Sequence, residues 1–166
     1  QAQRGYDEIN LNCGCPAQTR GRSRNCYGAR LMFEPDRTAA CCAALKEAVA
    51  AVGAVREVVG DMPVTVKCRL GVNERDSYEE LCQFVEAVSA VGVSHFIVHA
   101  RKAILGLDTA KNRSVPPLRH DWVFKLVADY PHLRFSLNGG VTSLNQVRSG
   151  RAHSGRAHSG RARGAK

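Results

Sequence analysis

Pro63-Val64-Thr65-Val66-Lys67-Cys68-Arg69, then Ser77-Tyr78-Glu79-Glu80-Leu81-Cys82-Gln83-Phe84-Val85-Glu86-Ala87-Val88, then Ser94-His95-Phe96-Ile97-Val98-His99 decide the fold. The first and third runs are short, β-branched and alternating, which predicts strands. In the middle run Leu81, Phe84, Val85 and Val88 recur at helical spacing. Asp76 or Ser77 offers an N-cap, and Gly92 a stop. A strand, a helix and a strand of these lengths predict a right-handed crossover in a parallel sheet.

The alternation extends both ways. Upstream, Tyr6-Asp7-Glu8-Ile9-Asn10-Leu11-Asn12 reads as a strand. A helix follows with Pro35 at its first position and a stripe of Cys42, Leu45, Val49 and Val52. Downstream, a long polar loop over 101–120 leads to a helix capped by Asp121, with Trp122, Leu126, Val127 and Tyr130 toward a core. Residues 134–138, Arg-Phe-Ser-Leu-Asn, predict a fourth strand, and Gly139-Gly140 turns into a short helix over roughly 143–148. This is an α/β pattern. No G-x-G-x-x-G follows any strand, which speaks against a dinucleotide-binding Rossmann domain and for a β/α barrel, of which four strands are half.

Polar residues gather where the strands end: Asn12 and Cys15, Lys67 and Arg69, His99 and Arg101, Asn138 and Gly139. Ligands of parallel α/β proteins bind at that end. Seven cysteines, an odd number without any C-x-x-C pair, argue against a disulfide framework and for a reducing, intracellular setting. Cys13-Gly14-Cys15 could be half of a zinc site, but no second pair with ligand spacing follows, so no metal is expected. Cys13 reads as a packing residue, and Cys41, Cys42 and Cys82 as small core residues on helices.

The formal charge is +9 over 166 residues. Six basic and no acidic residues lie between Arg148 and Lys166, where Arg-Ala-His-Ser-Gly occurs twice in tandem. That stretch has no large apolar residue and is expected to be disordered, a tail distinct from a domain over 1–147. No apolar run reaches the roughly 18 residues of a membrane span. The first residue is Gln1 and a strand begins almost at once, so the start of the domain is expected upstream, and cytoplasm and organelle are not told apart.

Asn12-Cys13-Gly14-Cys15-Pro16, Val64-Thr65-Val66-Lys67-Cys68-Arg69-Leu70-Gly71, Phe96-Ile97-Val98-His99-Ala100-Arg101-Lys102 and Asn138-Gly139-Gly140 together resemble the flavin-dependent tRNA-dihydrouridine synthases. Asp76-Ser77-Tyr78-Glu79, Lys111-Asn112-Arg113 and Pro116-Pro117-Leu118-Arg119 resemble the A-type members. The resemblance implies a TIM (β/α)8 barrel, of which this chain holds about strands four to seven. It implies reduction of uridine to 5,6-dihydrouridine in the D-loop of tRNA, at positions 20 and 20a. Reduced FMN gives a hydride to C6, an acid protonates C5, and NADPH re-reduces the flavin. By this resemblance Cys15 is the catalytic acid; a free thiol with a pKa near 8.5 keeps its proton at neutral pH. It must sit on a loop that closes over a flipped base, and the Gly- and Arg-rich stretch 17–28 that follows it suits such a loop.

The resemblance further implies that Lys67, His99, Asn138, Gly139 and Gly140 bind FMN, the glycines letting backbone N–H groups approach its phosphate. Asn12 and Arg113 match positions that touch tRNA, with Lys111 nearby and Arg101 beside them. Arg101, Lys102, Arg113 and Arg119 would form a basic rim. tRNA is the only partner implied; no membrane and no stable protein partner are. Ala17 departs from the family's serine after Gly-Cys-Pro. Four strands leave open sheet edges, which speaks against independent folding and activity of this chain alone. The alternative reading is a non-catalytic RNA-binding fragment.

Overall fold

A computed structural model describes residues 6–16, 27–56 and 62–146. The tail over 148–166, and the part of the expected closing loop at 17–26, lie outside the described residues. Four strands, β1 (Ile9–Cys13), β2 (Val64–Arg69), β3 (His95–His99) and β4 (Arg134–Asn138), alternate with helices α1 (Pro35–Arg56), α2 (Tyr78–Ala90) and α3 (His120–Asp129). The sheet order is β1-β2-β3-β4 and every pairing is parallel. Each strand therefore pairs with its neighbour in sequence. No reversal of winding occurs among the described strands, unlike in a doubly wound sheet.

The pleat gives the sheet two unlike faces. Cys13, Val64, Val66, Cys68, Phe96 and Val98 are buried in one core with Cys42 and Val49 of α1, the Leu81, Phe84, Val85 and Val88 stripe of α2, and Val123 and Leu126 of α3. The opposite face is polar. Its registered rows are Asn12-Lys67-Ile97-Ser136 and Arg69-His99-Asn138. Asn10 Nδ2 donates to Thr65 Oγ1 at 2.7 Å, and His95 Nε2 lies 2.8 Å from Ser136 Oγ. A parallel sheet covered by helices on both faces would be apolar on both. Here one face is built for helices and the other for polar side chains.

Local chemistry sets the helix ends. Pro35 takes the first position of α1, as the sequence predicts. Of the two candidate caps for α2, Ser77 is the cap: its Oγ accepts from Glu80 N, and the Glu80 carboxylate accepts from Ser77 N, a complete capping box. Replacing Ser77 by alanine is expected to cost about 1 kcal/mol of folding stability, read from urea unfolding of the full-length protein. Gly92 closes α2 at φ +84°, and Lys46 of α1 donates to its carbonyl at 2.9 Å. Two crossed phenols tie α2 to α3. Tyr78 donates to Asp129 at 2.9 Å and Tyr130 to Glu86 at 2.6 Å.

Four expectations need correction. β1 begins at Ile9, since Tyr6, Asp7 and Glu8 are exposed and find no strand partner among the described residues. Asp121 does not cap α3; Arg119 holds the cap position without a side-chain bond, and Asp121 lies in the first turn. Val123 is buried in α3 beside Leu126, while Trp122, Val127 and Tyr130 are only partly covered. Cys41 is exposed, because the buried stripe of α1 runs through Cys42. Residues 28–33 form a 3₁₀ helix that the sequence pattern did not announce.

Candidate active site

At the C-terminal end of β1 the chain turns on Asn12. Its Oδ1 accepts the backbone N–H groups of Gly14 at 3.0 Å and Cys15 at 3.1 Å, an Asx turn that brings Cys15 beyond the strand end. Cys13 points the other way and is fully buried in the core. The Cys15 carbonyl accepts from Ala29 N at 2.8 Å, so the 3₁₀ helix Gly28–Phe33 braces the turn. Gly28 makes the approach possible. It lies at φ +58°, and a Cβ there would stand 2.5 Å from the Cys15 carbonyl oxygen.

β2 supplies two cations to the polar face. Lys67 Nζ donates to Asn138 Oδ1 at 3.2 Å, across β3. Burial holds the Lys67 ammonium below its usual pKa, and the neighbouring Arg69 adds to the effect. Arg69 is 4 % exposed. Its Nε donates to Gly14 O at 3.0 Å, and its Nη1 to Lys102 O at 3.1 Å and Asn112 O at 2.9 Å.

His99 ends β3, and its ring fills the space where a Gly139 side chain would be: a Cβ on Gly139 would lie 2.5 Å from His99 Cδ2. Gly139 and Gly140 take φ +91° and +70°. The Gly139 carbonyl lies 2.9 Å from His120 Nε2, which fixes the turn from the start of α3. The His99 pKa is pushed down to about 4, first by burial and then by Arg69, Lys67, Arg101 and Arg113. The ring is therefore neutral at pH 7. Between about 6.5 and about 4 an unfolded chain takes up a proton that folded His99 refuses, so stability falls as pH drops through that window. The side-chain resonances of His99 are expected to show no titration step above pH 5 in an NMR titration of the full-length protein. A midpoint near 6.5 would contradict this environment.

The loop after β3 is ordered by a buried asparagine. Asn112 is fully buried; its Oδ1 accepts from Ile104 N at 2.8 Å, and its Nδ2 donates to Ile104 O at 2.9 Å and Leu107 O at 3.0 Å. It centres the 3₁₀ turn Lys111–Arg113 and leaves Lys111 and Arg113 exposed on either side. Arg113 acts electrostatically on Lys67, Arg69 and His99, so its charge reaches the site. Arg101 donates to the carbonyls of Ser114 and Pro116, which turns its guanidinium toward the loop. Of the four cations expected at the rim, two share one carboxylate. Lys102 and Arg119 both pair with Asp76, at 3.0 and 3.5 Å, and Arg119 lies over the Trp122 ring.

The structure thus brings Lys67, His99, Asn138, Gly139 and Gly140 into one cluster, with Cys15 at the adjoining strand end and Arg113 within electrostatic reach. Sequence reasoning named Arg69 only as one of the polar strand-end residues and Asn112 only as part of a motif, and gave no role to His120. Strand alternation places Arg69 on the same face as Lys67, which is a legible signal. Nothing in Lys111-Asn112-Arg113 announces that its middle residue is buried. Among the described residues no group of three or more His, Cys, Asp or Glu side chains is placed to hold a metal ion, and the six described cysteines form no disulfide.

The family model described as dihydrouridine synthase (Dus) matches residues 1–166. A tRNA-dihydrouridine(20/20a) synthase of Shewanella oneidensis is 48 % identical over 153 residues, covering 92 % of this chain and 42 % of that protein. The protein of the same name from Synechocystis is 47 % identical over 150 residues, covering 90 % and 41 %. That of Xylella fastidiosa is 49 % identical over 142 residues, covering 84 % and 38 %. The chain spans about two fifths of the length of these curated relatives.

Proposed function

Because the chain belongs to the dihydrouridine synthase family, we propose that it is part of an enzyme that reduces uridine to 5,6-dihydrouridine in the D-loop of tRNA, at positions 20 and 20a, with FMN as cofactor and NADPH as the reductant of the flavin. On this reading the four sequential strands are about strands four to seven of a TIM (β/α)8 barrel, and the polar sheet face looks into its lumen. The observation that carries the proposal is the convergence of four strand ends. Cys15, Lys67, His99 and the Asn138-Gly139-Gly140 turn come from four separate motifs and meet at one edge, where Lys67 bonds Asn138 directly.

The donor set fits FMN. A half-buried ammonium suits the electron-rich edge of a flavin ring, and a neutral imidazole adds no competing charge. Gly139 and Gly140 form a positive-φ turn packed against His99 and Leu118, and on this reading its backbone N–H groups would receive the phosphate. The charges that act on His99 are all positive, which suits an anionic ligand. When bound, reduced FMN supplies the hydride for uridine C6. Lys67 and the Asn138-Gly139-Gly140 turn hold and orient the cofactor. Cys15 carries the proton for C5 on its thiol. Asn12 shapes the turn that carries it, and Arg113 and Lys111 face the RNA backbone. Among the described residues no helix is long and apolar enough to cross a membrane. The chemistry belongs inside the cell, in cytoplasm or organelle.

The test uses the full-length polypeptide that carries this sequence, expressed in a strain whose own dihydrouridine synthases are deleted. Purified protein is expected to be yellow and to release FMN on denaturation. Its host tRNA is expected to contain dihydrouridine at positions 20 and 20a. Colourless protein and unmodified tRNA would defeat the proposal. Tight tRNA binding without reduction, unchanged by Cys15→Ala, would favour the non-catalytic alternative.

A further inference from the structure

Arg69 is the most fully buried cation of the site, and its acceptors are backbone carbonyls from three separate segments. Gly14 O belongs to the peptide that leads into Cys15. Asn112 O belongs to the peptide that leads into Arg113. Lys102 O holds the start of the loop between them. A guanidinium is a rigid planar fork, so its Nε and Nη1 bonds fix the two peptides relative to each other. Charge-assisted bonds of this kind are the stronger ones. The far end of the link is equally fixed, because Asn112 is fully buried and its side chain is bonded on both its oxygen and its nitrogen.

We propose that Arg69 is a positioning residue that couples the turn presenting Lys111 and Arg113 to the turn presenting Cys15, so that seating RNA on the one sets the acid on the other. The proposal rests on the roles given above to Cys15 and Arg113. The path is continuous and short: Cys15, Gly14, the Arg69 guanidinium, Asn112, Arg113. A lysine at 69 would keep the charge but could not hold both peptides, since its single nitrogen lacks the fork.

The experiment compares wild type, Arg69→Lys and Asn112→Ala in the full-length protein. The first readout is alkylation of Cys15 by iodoacetamide without RNA, resolved by peptide mass spectrometry. Both variants are expected to alkylate at least about threefold faster than wild type, because Arg69→Lys removes the fork that holds the Gly14 peptide and Asn112→Ala loosens the anchor at its far end, while a positive charge stays at 69. Asn112→Ala removes no atom that bonds Arg69 or Cys15, since Arg69 takes the backbone carbonyl of residue 112, so its effect reports the coupling itself. A change in Arg69→Lys alone would reduce Arg69 to local support of Gly14 and overturn the proposal, as would no change in either. The second readout is the Kd for tRNA. Arg113→Ala and Arg69→Lys are each expected to weaken binding about tenfold, and the double variant by no more than about twofold beyond either. Fully multiplicative losses would overturn the coupling. Wild-type protein that neither binds nor reduces tRNA would defeat the proposed function, while the alkylation comparison would still decide the role of Arg69.

Discussion

On the proposed function, alanine in place of Cys15 is expected to lower the rate of uridine reduction by about 10²- to 10⁴-fold, the range of a lost general acid. Bound FMN and tRNA affinity are expected to stay within about twofold of wild type. The measurement is single-turnover reduction by pre-reduced full-length protein, with flavin absorbance and a tRNA binding curve as controls. The size of the effect follows from position. Cys15 is the cysteine that the Asn12 turn carries past the strand end, partly exposed at the polar edge. Cys13, two residues earlier, cannot substitute, because the strand alternation turns it into the core, where it is fully buried. Cys13→Ala is therefore expected to lower stability and leave the rate per folded molecule intact. A Cys15→Ala protein that reduces uridine at more than about a tenth of the wild-type rate would place the acid elsewhere.

Gly28→Ala is expected to destabilise the protein by at least about 2 kcal/mol and to cut the reduction rate of what remains folded. Two costs combine. The φ of +58° belongs to the left-handed region, which costs an L-residue roughly 1–2 kcal/mol. The new Cβ would also stand 2.5 Å from a backbone oxygen, which cannot swing aside as a side chain could. That oxygen belongs to Cys15, so relief of the clash moves the residue proposed as the acid. Gly14→Ala is the control. A Cβ there meets its nearest neighbours at 3.6 Å, an ordinary contact, and is expected to change stability by less than about 0.5 kcal/mol. Urea unfolding and single-turnover rates read both. Equal behaviour of the two variants would remove the bracing role from the 3₁₀ helix.

The parts of the fold that follow from periodicity were legible in the sequence. β2, β3 and β4 are alternating runs with β-branched or aromatic residues. The four buried residues of α2 are those its helical spacing selects. Pro35 and Ser77 act where their chemistry says they act. The strand ends were legible for the same reason, since alternation fixes which of Lys67, Cys68 and Arg69 share a face. What failed to show was made by tertiary contact. The 3₁₀ helix at 28–33 depends on a backbone approach to Cys15 that no local pattern encodes. Asn112 is buried because the loop folds around its amide. Lys102 and Arg119 looked like rim charges until Asp76, distant in sequence from both, reached them. Cys41 and Cys42 are adjacent and chemically identical, and only the docked face of α1 separates the exposed one from the buried one.

The one-signed surroundings of His99 have a thermodynamic consequence. Lys67, Arg69, Arg101 and Arg113 all act on the same ring, and they repel one another in the folded state more than in an extended chain. Folding thus stores a repulsion that an anion at this edge discharges. Any phosphate-bearing ligand that binds there shifts the folding equilibrium by mass action, and the melting temperature then depends on its concentration. On the proposed function, the cofactor of such a site would act as a structural ballast as well as a reagent, and the supply of flavin in the cell would set how much of the folded protein persists.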